Sequence, residues 1–365
     1  MTVRLVWENL KHRPMRSLLS VLLMGVPVTL ILALVGLTQG LLGDSQERQR
    51  NTGADIIIRA STASGVVNFS GASIPTKIVD KIEQQPHVKT AVGVLNHSID
   101  PPLVITGVDT AKFDRMNGGF DYKQGGPLRN PDDMLIDVAY ASQTHKTVGD
   151  TITLLNHQWH VCGVIGEGKL ARIAVELPVL QDLDAASGKV SQIYVKVDDP
   201  ANTDTVVQEL EALDTGYKIN TMEDYLAMFT PGNIGGVKEF TWVVMAIGVV
   251  IGFFVVCLSM YMAVLQRTRE IGILKSLGAS KGFILSVIEA EALLMGVGGT
   301  ILGILMSFGA CWLVRTLVPA SIPMIIVQSW WPIAGLITLV GAGLGALYPG
   351  LSAASHDPIE ALAYE

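Results

Sequence analysis

"QRTREIGILKSLGASKGF", residues 266–283, is a basic, glycine-punctuated string set between two stretches that avoid charge. It carries Arg267, Arg269, Glu270, Lys275 and Lys281. The run before it, Phe240 to Leu265, has no Asp, Glu, Lys or Arg, and the chain is uncharged again from Ala292 to Val314. Apolar runs of this length read as helices crossing hydrocarbon, where every backbone polar group must be satisfied within its own segment. The string between them is then a loop at one membrane face. It is too short to fold alone and too charged to enter lipid.

On either side of that loop, the sequence predicts four transmembrane helices in all, at 17–43, 240–265, 283–318 and 331–352. The first is uncharged from Ser17 to Gly43, well beyond the h-region of a cleaved signal peptide, and Pro27 is expected to kink it. Arg4, Lys11, Arg13 and Arg16 precede the first span, and the 266–282 loop joins the second to the third. The short link 319–330 carries no positive charge. By the positive-inside rule both termini and the 266–282 loop are cytoplasmic, and the 44–239 region faces outward. In residues 1–16, Val3, Val6, Trp7 and Leu10 share one helical face. They predict an amphipathic helix on the inner leaflet, the alternative being a basic tail that only sets orientation. Residues 353–365 form a cytoplasmic tail.

Composition agrees. The chain has 365 residues, 49% hydrophobic and only 16% charged, which excludes an ordinary soluble enzyme. Its net charge of −7 is concentrated: 26 acids stand against 17 bases between Asp44 and Glu239, leaving 7 acids and 9 bases elsewhere. An acidic domain gives no reason to expect a nucleic-acid partner. That domain reads as α+β. Strands are expected in "ADIIIRA" (54–60) and "SQIYVKVDD" (191–199), helices in 75–86 and 201–213, and a mainly β insertion at about 107–185 splits the two halves. Cys162 is the domain's one cysteine, so no disulfide forms within it.

Three motifs compete for a chemical reading. "GVIGEGKL" (163–170) has phosphate-loop spacing but places Leu170 where a magnesium-binding hydroxyl belongs, and is expected to be a hairpin turn. "HQWHVC" (157–162) offers His157, His160 and Cys162 as ligands, yet on a strand only His160 and Cys162 share a face, and no metal is expected. Glu289 and Glu291 fall near the inner end of the third span. They are either functional intramembrane carboxylates or side chains reaching back to the interface.

A short helix in the 266–282 loop is what docking onto a soluble partner requires. Here the residues carry a resemblance. "RTREIGILKSLGASKGFIL" resembles the cytoplasmic loop of MacB/FtsX-type ABC transporter permeases, in which an Arg-Glu-Ile-Gly string followed by a Gly-Ala step forms the coupling helix. "EALLMGVGGTILG" (291–303) resembles the family's third span, and "YPGLSAASHDPIEALAYE" (348–365) its tail, with Asp357, Pro358 and Glu360 in the motif. "WENLKHRPMRSLLSVLL" resembles the family's start. The resemblance implies an α-helical membrane protein of the mechanotransmission type (type VII), with four transmembrane helices and a large extracytoplasmic α+β domain between the first two. It implies a homodimer bound to two copies of a separate ATPase that supplies ATP and Mg, with no cofactor on this chain and no enzymatic activity of its own. ATPase coupling then falls to Arg269, Glu270, Ile271, Gly272, Lys275, Leu277, Gly278, Ala279 and Lys281, and dimer packing to Gly296, Gly299 and Gly303. A bacterial inner-membrane location follows, with a periplasmic adaptor and outer-membrane channel as open possibilities. The expected function is export or extraction of a hydrophobic or amphipathic substrate: a peptide, lipid, lipoprotein or drug. The competing expectation is a non-transporting mechanotransmitter that regulates cell-wall hydrolases or a sensor kinase.

Overall fold

A computed structural model describes residues 14–60, 73–100, 103–212, 216–230, 232–233, 237–266, 268–317 and 323–355. The expected helix over 1–16 and the tail residues Asp357, Pro358 and Glu360 lie wholly or mostly outside them. The chain divides into two compact units: an inserted domain over Gly40–Val237, and a helical unit made of the chain up to Gln39, Lys238–Thr316 and the segment from Met324.

The helical unit contains α1 (Pro14–Arg50, up to Gln39) and three later long helices, α8 (Val237–Gln266), α10 (Lys281–Leu317) and α11 (Trp331–Ser355). All four are long and apolar enough to cross a membrane. Helix α1 runs on through Pro27. It also runs seven residues past the expected end at Gly43, because "DSQERQR" offers no helix breaker before Gly53, which takes a left-handed φ of 75°. Met24, Val256, Met260, Ile288, Ala292 and Ala346 form one apolar centre, and Val28, Ile31, Met245 and Ala334 a second. Outward faces such as Phe254, Leu258, Leu305 and Leu336 are left exposed, as lipid contact requires.

Among the described residues of the inserted domain, ten strands make one mixed sheet. Its first part is β1 (Ile56–Ala60), β3 (Val88–Asp100), β4 (Leu103–Val108), β11 (Gln192–Val197) and β12 (Tyr217–Thr221). Its second part is β5 (Tyr122–Gly125), β6 (Asp133–Asp137), β7 (Thr151–Leu154), β8 (His157–Ile165) and β9 (Ile173–Glu176). The order is β12-β1-β11-β3-β4-β9-β6-β8-β5, with β7 on β8. Strands β5 to β9 fall within the expected insertion at about 107–185 and join the same sheet as the two flanking parts. Parallel pairing of β4 with β9, from Ile105–Ile173 to Val108–Glu176, fuses the insertion to the rest. A two-stranded ribbon pairs β2 (Ile74–Pro75) with β10 (Lys189–Val190).

Period-2 side-chain alternation explains the run "IIIRA". Ile56 and Ile58 enter a core shared with α2 (Thr76–Glu83) and α6 (Thr203–Ala212). Ile57 enters the opposite core with Tyr194, Phe113 of α3 (Thr110–Asn117) and Tyr225 of α7 (Met222–Ala227). All three isoleucines are buried, each worth about 1.5–3 kcal/mol of transfer free energy. A third core, around Trp159, Met134, Ile136 and Leu180, fills the space under α4 (Val138–Thr144) and α5 (Leu177–Leu183).

Candidate functional site: the helix between the second and third spans and its supports

The basic loop folds as helix α9 (Thr268–Ser276), framed by α8 and α10. Thr268 Oγ1 donates to the carbonyls of Val264 and Leu265 (3.2 and 2.9 Å), tying the start of α9 to the end of α8. Its other end is a Schellman stop: Ala279 N donates to Leu274 O (3.0 Å) and Gly278 N to Lys275 O (3.0 Å). Gly278 holds φ 93°, which a side chain would strain. That is the physical content of the Gly-Ala step. One residue on, Ser280 Oγ accepts from Phe283 N (3.2 Å) and caps α10.

The two faces of α9 differ. Ile271 and Ala279 pack into the apolar centre of the helical unit, and Gly272 is buried. A crevice of about 60 Å³ lies between Tyr261, Thr268, Gly272, Lys275, Pro349 and Ser352. Lys275 reaches across to α11, where its Nζ donates to Ala354 O (2.9 Å). The last four carbonyls of a helix lack intrahelical partners and carry partial negative charge, so a lysine there satisfies one and favours the dipole. On the opposite face Ile273 and Leu277 are bare: Leu277 is 79% exposed, with Gly278 and Lys281 exposed beside it. Residues 269 and 270 belong to α9, and Arg269 and Glu270 are placed here by backbone alone.

Gly296, Gly299 and Gly303, expected at a seam between two copies, are used within the chain. A Cβ on Gly299 would stand 2.6 Å from Met24 Cβ, and one on Gly303 2.6 Å from Val28 Cβ and 2.7 Å from Gly25 O. Gly296 faces Leu339 and Ala342 of α11. Thr29 Oγ1 adds a bond to Gly303 O (3.1 Å), so α1 and α10 meet backbone to backbone. The small-residue pattern announces close approach without saying to which helix.

Glu291 is buried, on the α10 face that also carries Ile288, Ala292 and Met295. Glu289 is half-buried with its Oε1 lacking a hydrogen-bond partner among the described residues, and a Cβ on Gly343 would lie 3.7 Å from its Oε2.

The other motifs resolve into structural roles. His157 pairs with Asp132 (2.9 Å) and His160 with Asp133 (3.2 Å). The Cys162 thiol instead faces the carbonyls of Gly126 and Met134. Among the described residues no three His, Cys, Asp or Glu side chains converge on a metal position. Burial, with the nearby Asp133 charge, pushes the Cys162 thiol up to about 11. Burial also acts on Asp133, but amides of Arg129 and Asn130 and the His160 ring outweigh it and hold the carboxyl below its usual range. The 166–172 loop is not the expected hairpin turn. It carries the chain from β8 to β9 past β6, which pairs with both.

Comparison with known proteins covers nearly the whole chain. Residues 17–213 match the MacB-like periplasmic core domain and residues 242–358 the FtsX-like permease C-terminal domain. An uncharacterized ABC transporter permease of Methanocaldococcus jannaschii is 26% identical over 267 residues, covering 67% of this chain and 66% of that one. A putative hemin transport system permease protein, HrtB of Staphylococcus haemolyticus, is 21% identical over 372 residues and 99% of each chain. The crystal structure of the periplasmic region of MacB from Actinobacillus actinomycetemcomitans aligns at a TM-score of 0.39 and 13% identity, covering 48% of this chain and 91% of that one. The chain spans 66%, 46% and 27% of the first three curated relatives it matches. Two family matches in series, on a chain with four long apolar helices and a large domain inserted after the first, lead to one conclusion: the protein belongs to the MacB/FtsX family of ABC transporter permeases.

Proposed function

We propose that this chain is the permease subunit of an ABC transporter in which a separate ATPase, in two copies, drives movement of the inserted domain. Two permease copies form the working unit, with both termini and α9 in the cytoplasm and the inserted domain outside. ATP and Mg bind the partner, and this chain has no ATP site of its own. The observation that carries the reading is the bare Ile273–Leu277 face of α9. A solvated connector has no use for a leucine four-fifths exposed at the capped end of a helix, whereas a helix seated in a partner's groove needs such an anchor. Lys275 and Thr268 tie that helix to α11 and α8, giving a push on it two routes into the helical unit.

The transported molecule is proposed to be hydrophobic or amphipathic, taken at the outer membrane face. The names of relatives, a hemin transport permease and macrolide export proteins, fit that class. The test is affinity purification of the tagged chain from native membranes. Wild type is expected to retain an ATPase, and the Leu277→Asp and Gly278→Asp variants to lose it while remaining membrane-inserted. Retention of the ATPase by both variants would sink the coupling assignment. Co-recovery of a wall hydrolase or sensor kinase, with no effect of any apolar compound on ATP turnover, would replace transport with regulation.

A further inference from the structure

The last turns of α1, from Gly40 to Arg50, fold as part of the inserted domain. Their apolar content is small, so polar contacts must hold them. Gln46 Nε2 donates to the carbonyls of Leu226 and Phe229 (3.1 and 3.3 Å), and Tyr194 Oη donates to Gln49 Oε1 (2.6 Å). Asn117 Nδ2 donates to Asn51 O (2.9 Å). On another side of the helix sits a cluster of four charges. Arg48 Nε donates to Asp44 Oδ2 (2.9 Å) and Arg48 Nη2 to Asp137 Oδ2 (3.0 Å). Arg172 reaches both acids, with Nη1 at 3.4 Å from Asp137 and Nη2 at 3.5 Å from Asp44. Side-chain exposures are 8% for Arg48, 1% for Asp137 and 9% for Arg172.

Two cations and two anions make the cluster neutral, which is what permits its burial. Asp137 is held from three further directions. Its Oδ1 accepts from Tyr140 N (2.7 Å), its own N–H donates to Arg172 O (2.8 Å), and it ends β6. Arg172 is the last residue of the 166–172 loop before β9. Gly168 of the same loop, at φ 85°, lies against Asn51 and Glu47 of the helix end. The loop with a phosphate-loop spelling thus forms a saddle for the end of α1. Its lysine is spent on Gly119 O.

We infer that Asp44, Arg48, Asp137 and Arg172 are a latch that makes strands β6 and β9 follow the end of α1, so that the second half of the sheet receives the helix's displacement directly. The inference rests on the proposed function, in which movement of this domain is the output. Without the latch, displacement could still pass through Gln46, Gln49 and Tyr194 into the first half of the sheet. A hydrophobic patch would hold the helix as firmly but would let it slide. Directional charge pairs fix one position and release it as a unit.

The experiment uses the full chain in lipid nanodiscs with its co-purified ATPase, in wild type, Arg48→Met, Asp137→Asn and the double variant. Asparagine keeps the acceptor for Tyr140 N while removing the charge. Each single variant leaves buried charge uncompensated and is expected to melt about 10 °C lower, and the double variant to recover at least half of that loss. Hydrogen exchange with and without ATP and vanadate is then followed in two peptide sets. In wild type, nucleotide is expected to alter exchange in both 56–60/192–197 and 133–137/173–176. In the double variant the second response is expected to be lost and the first kept. A double variant whose second set responds as wild type does would overturn the latch while leaving transmission intact. A wild type that shows no nucleotide response in either set would overturn the proposed function, and the latch with it.

Discussion

Replacing Gly303 by alanine tests how the helical unit is held together. An alanine Cβ would stand 2.6 Å from Val28 Cβ and 2.7 Å from both Val28 Cγ1 and Gly25 O. Carbon atoms prefer about 3.5–4.0 Å, so α1 and α10 must separate by roughly 1 Å. That separation also stretches the Thr29–Gly303 bond and loosens Gly25, whose own open side lies 3.3 Å from Gly299 O. Overpacking of this kind costs about 1–3 kcal/mol, and an interhelical bond in lipid is worth about 0.6 more. Alanine's better helix propensity returns up to about 1 kcal/mol, leaving a net loss of about 1–3 kcal/mol. Gly309 is the control, since a Cβ there meets nothing within 4 Å among the described residues. Equilibrium unfolding of both variants in mixed detergent micelles, with dimer fraction measured in parallel, reads the two effects separately. If Gly303→Ala proves as stable as Gly309→Ala and lowers the dimer fraction instead, the glycine packs between copies and the reasoning fails.

Other consequences can be checked alongside. Lys275→Met removes the cap on Ala354 O and is expected to lower ATP-stimulated activity at least several-fold while leaving ATPase binding in a pull-down unchanged; full activity would show the cap is idle. Gly278→Ala places a side chain at φ 93° and should cost about 1 kcal/mol, visible as faster hydrogen exchange over α9. With the Cys162 thiol raised to about 11 from the ordinary 9, its thiolate at pH 8 is about 100-fold scarcer. Iodoacetamide should therefore label it about that much more slowly than in urea, and equal rates would refute the burial. Asp133, held below the usual carboxylate range, contributes stability that is present above its unfolded pKa and lost as pH falls through its lower folded value. Asp133→Asn should accordingly flatten the acid limb of the melting curve below about pH 4, and an unchanged limb would assign that loss to other groups.

The spans and the α9 loop were legible because both are local patterns. Charge avoidance over some twenty residues and a Gly-Ala step after an apolar turn are written in consecutive residues. Strand β1 was legible for the same reason. Pairing of β4 with β9 was not: Val108 and Glu176 are distant in the chain, and neither segment says which strand it will meet. The sequence therefore showed where the insertion lies but not which strand joins it to the rest of the sheet. Arg48, Asp137 and Arg172 read singly as ordinary surface charges, and only their convergence makes them a buried cluster. Gly299 and Gly303 announced a close helix contact through their spacing, but a one-chain pattern names no partner. The α9 supports were half visible: Lys275 was singled out for its charge, while its bond to Ala354 depends on where α11 ends.

One feature of the sheet bears on how such proteins diversify. Strands β1 and β12, the first and last strands of the large sheet in chain order, are hydrogen-bonded neighbours over Ile56–Thr221 to Ala60–Tyr217. The chain thus enters and leaves that sheet one strand spacing apart, about 4.8 Å. Loops of that sheet that touch neither the end of α1 nor α7 can therefore be lengthened or trimmed with its closure intact, whereas the domain as a whole exchanges only with the end of α1 included. A graft of a relative's domain is therefore cut at 40 and 237, which keeps the end of α1 with the strands it is bonded to.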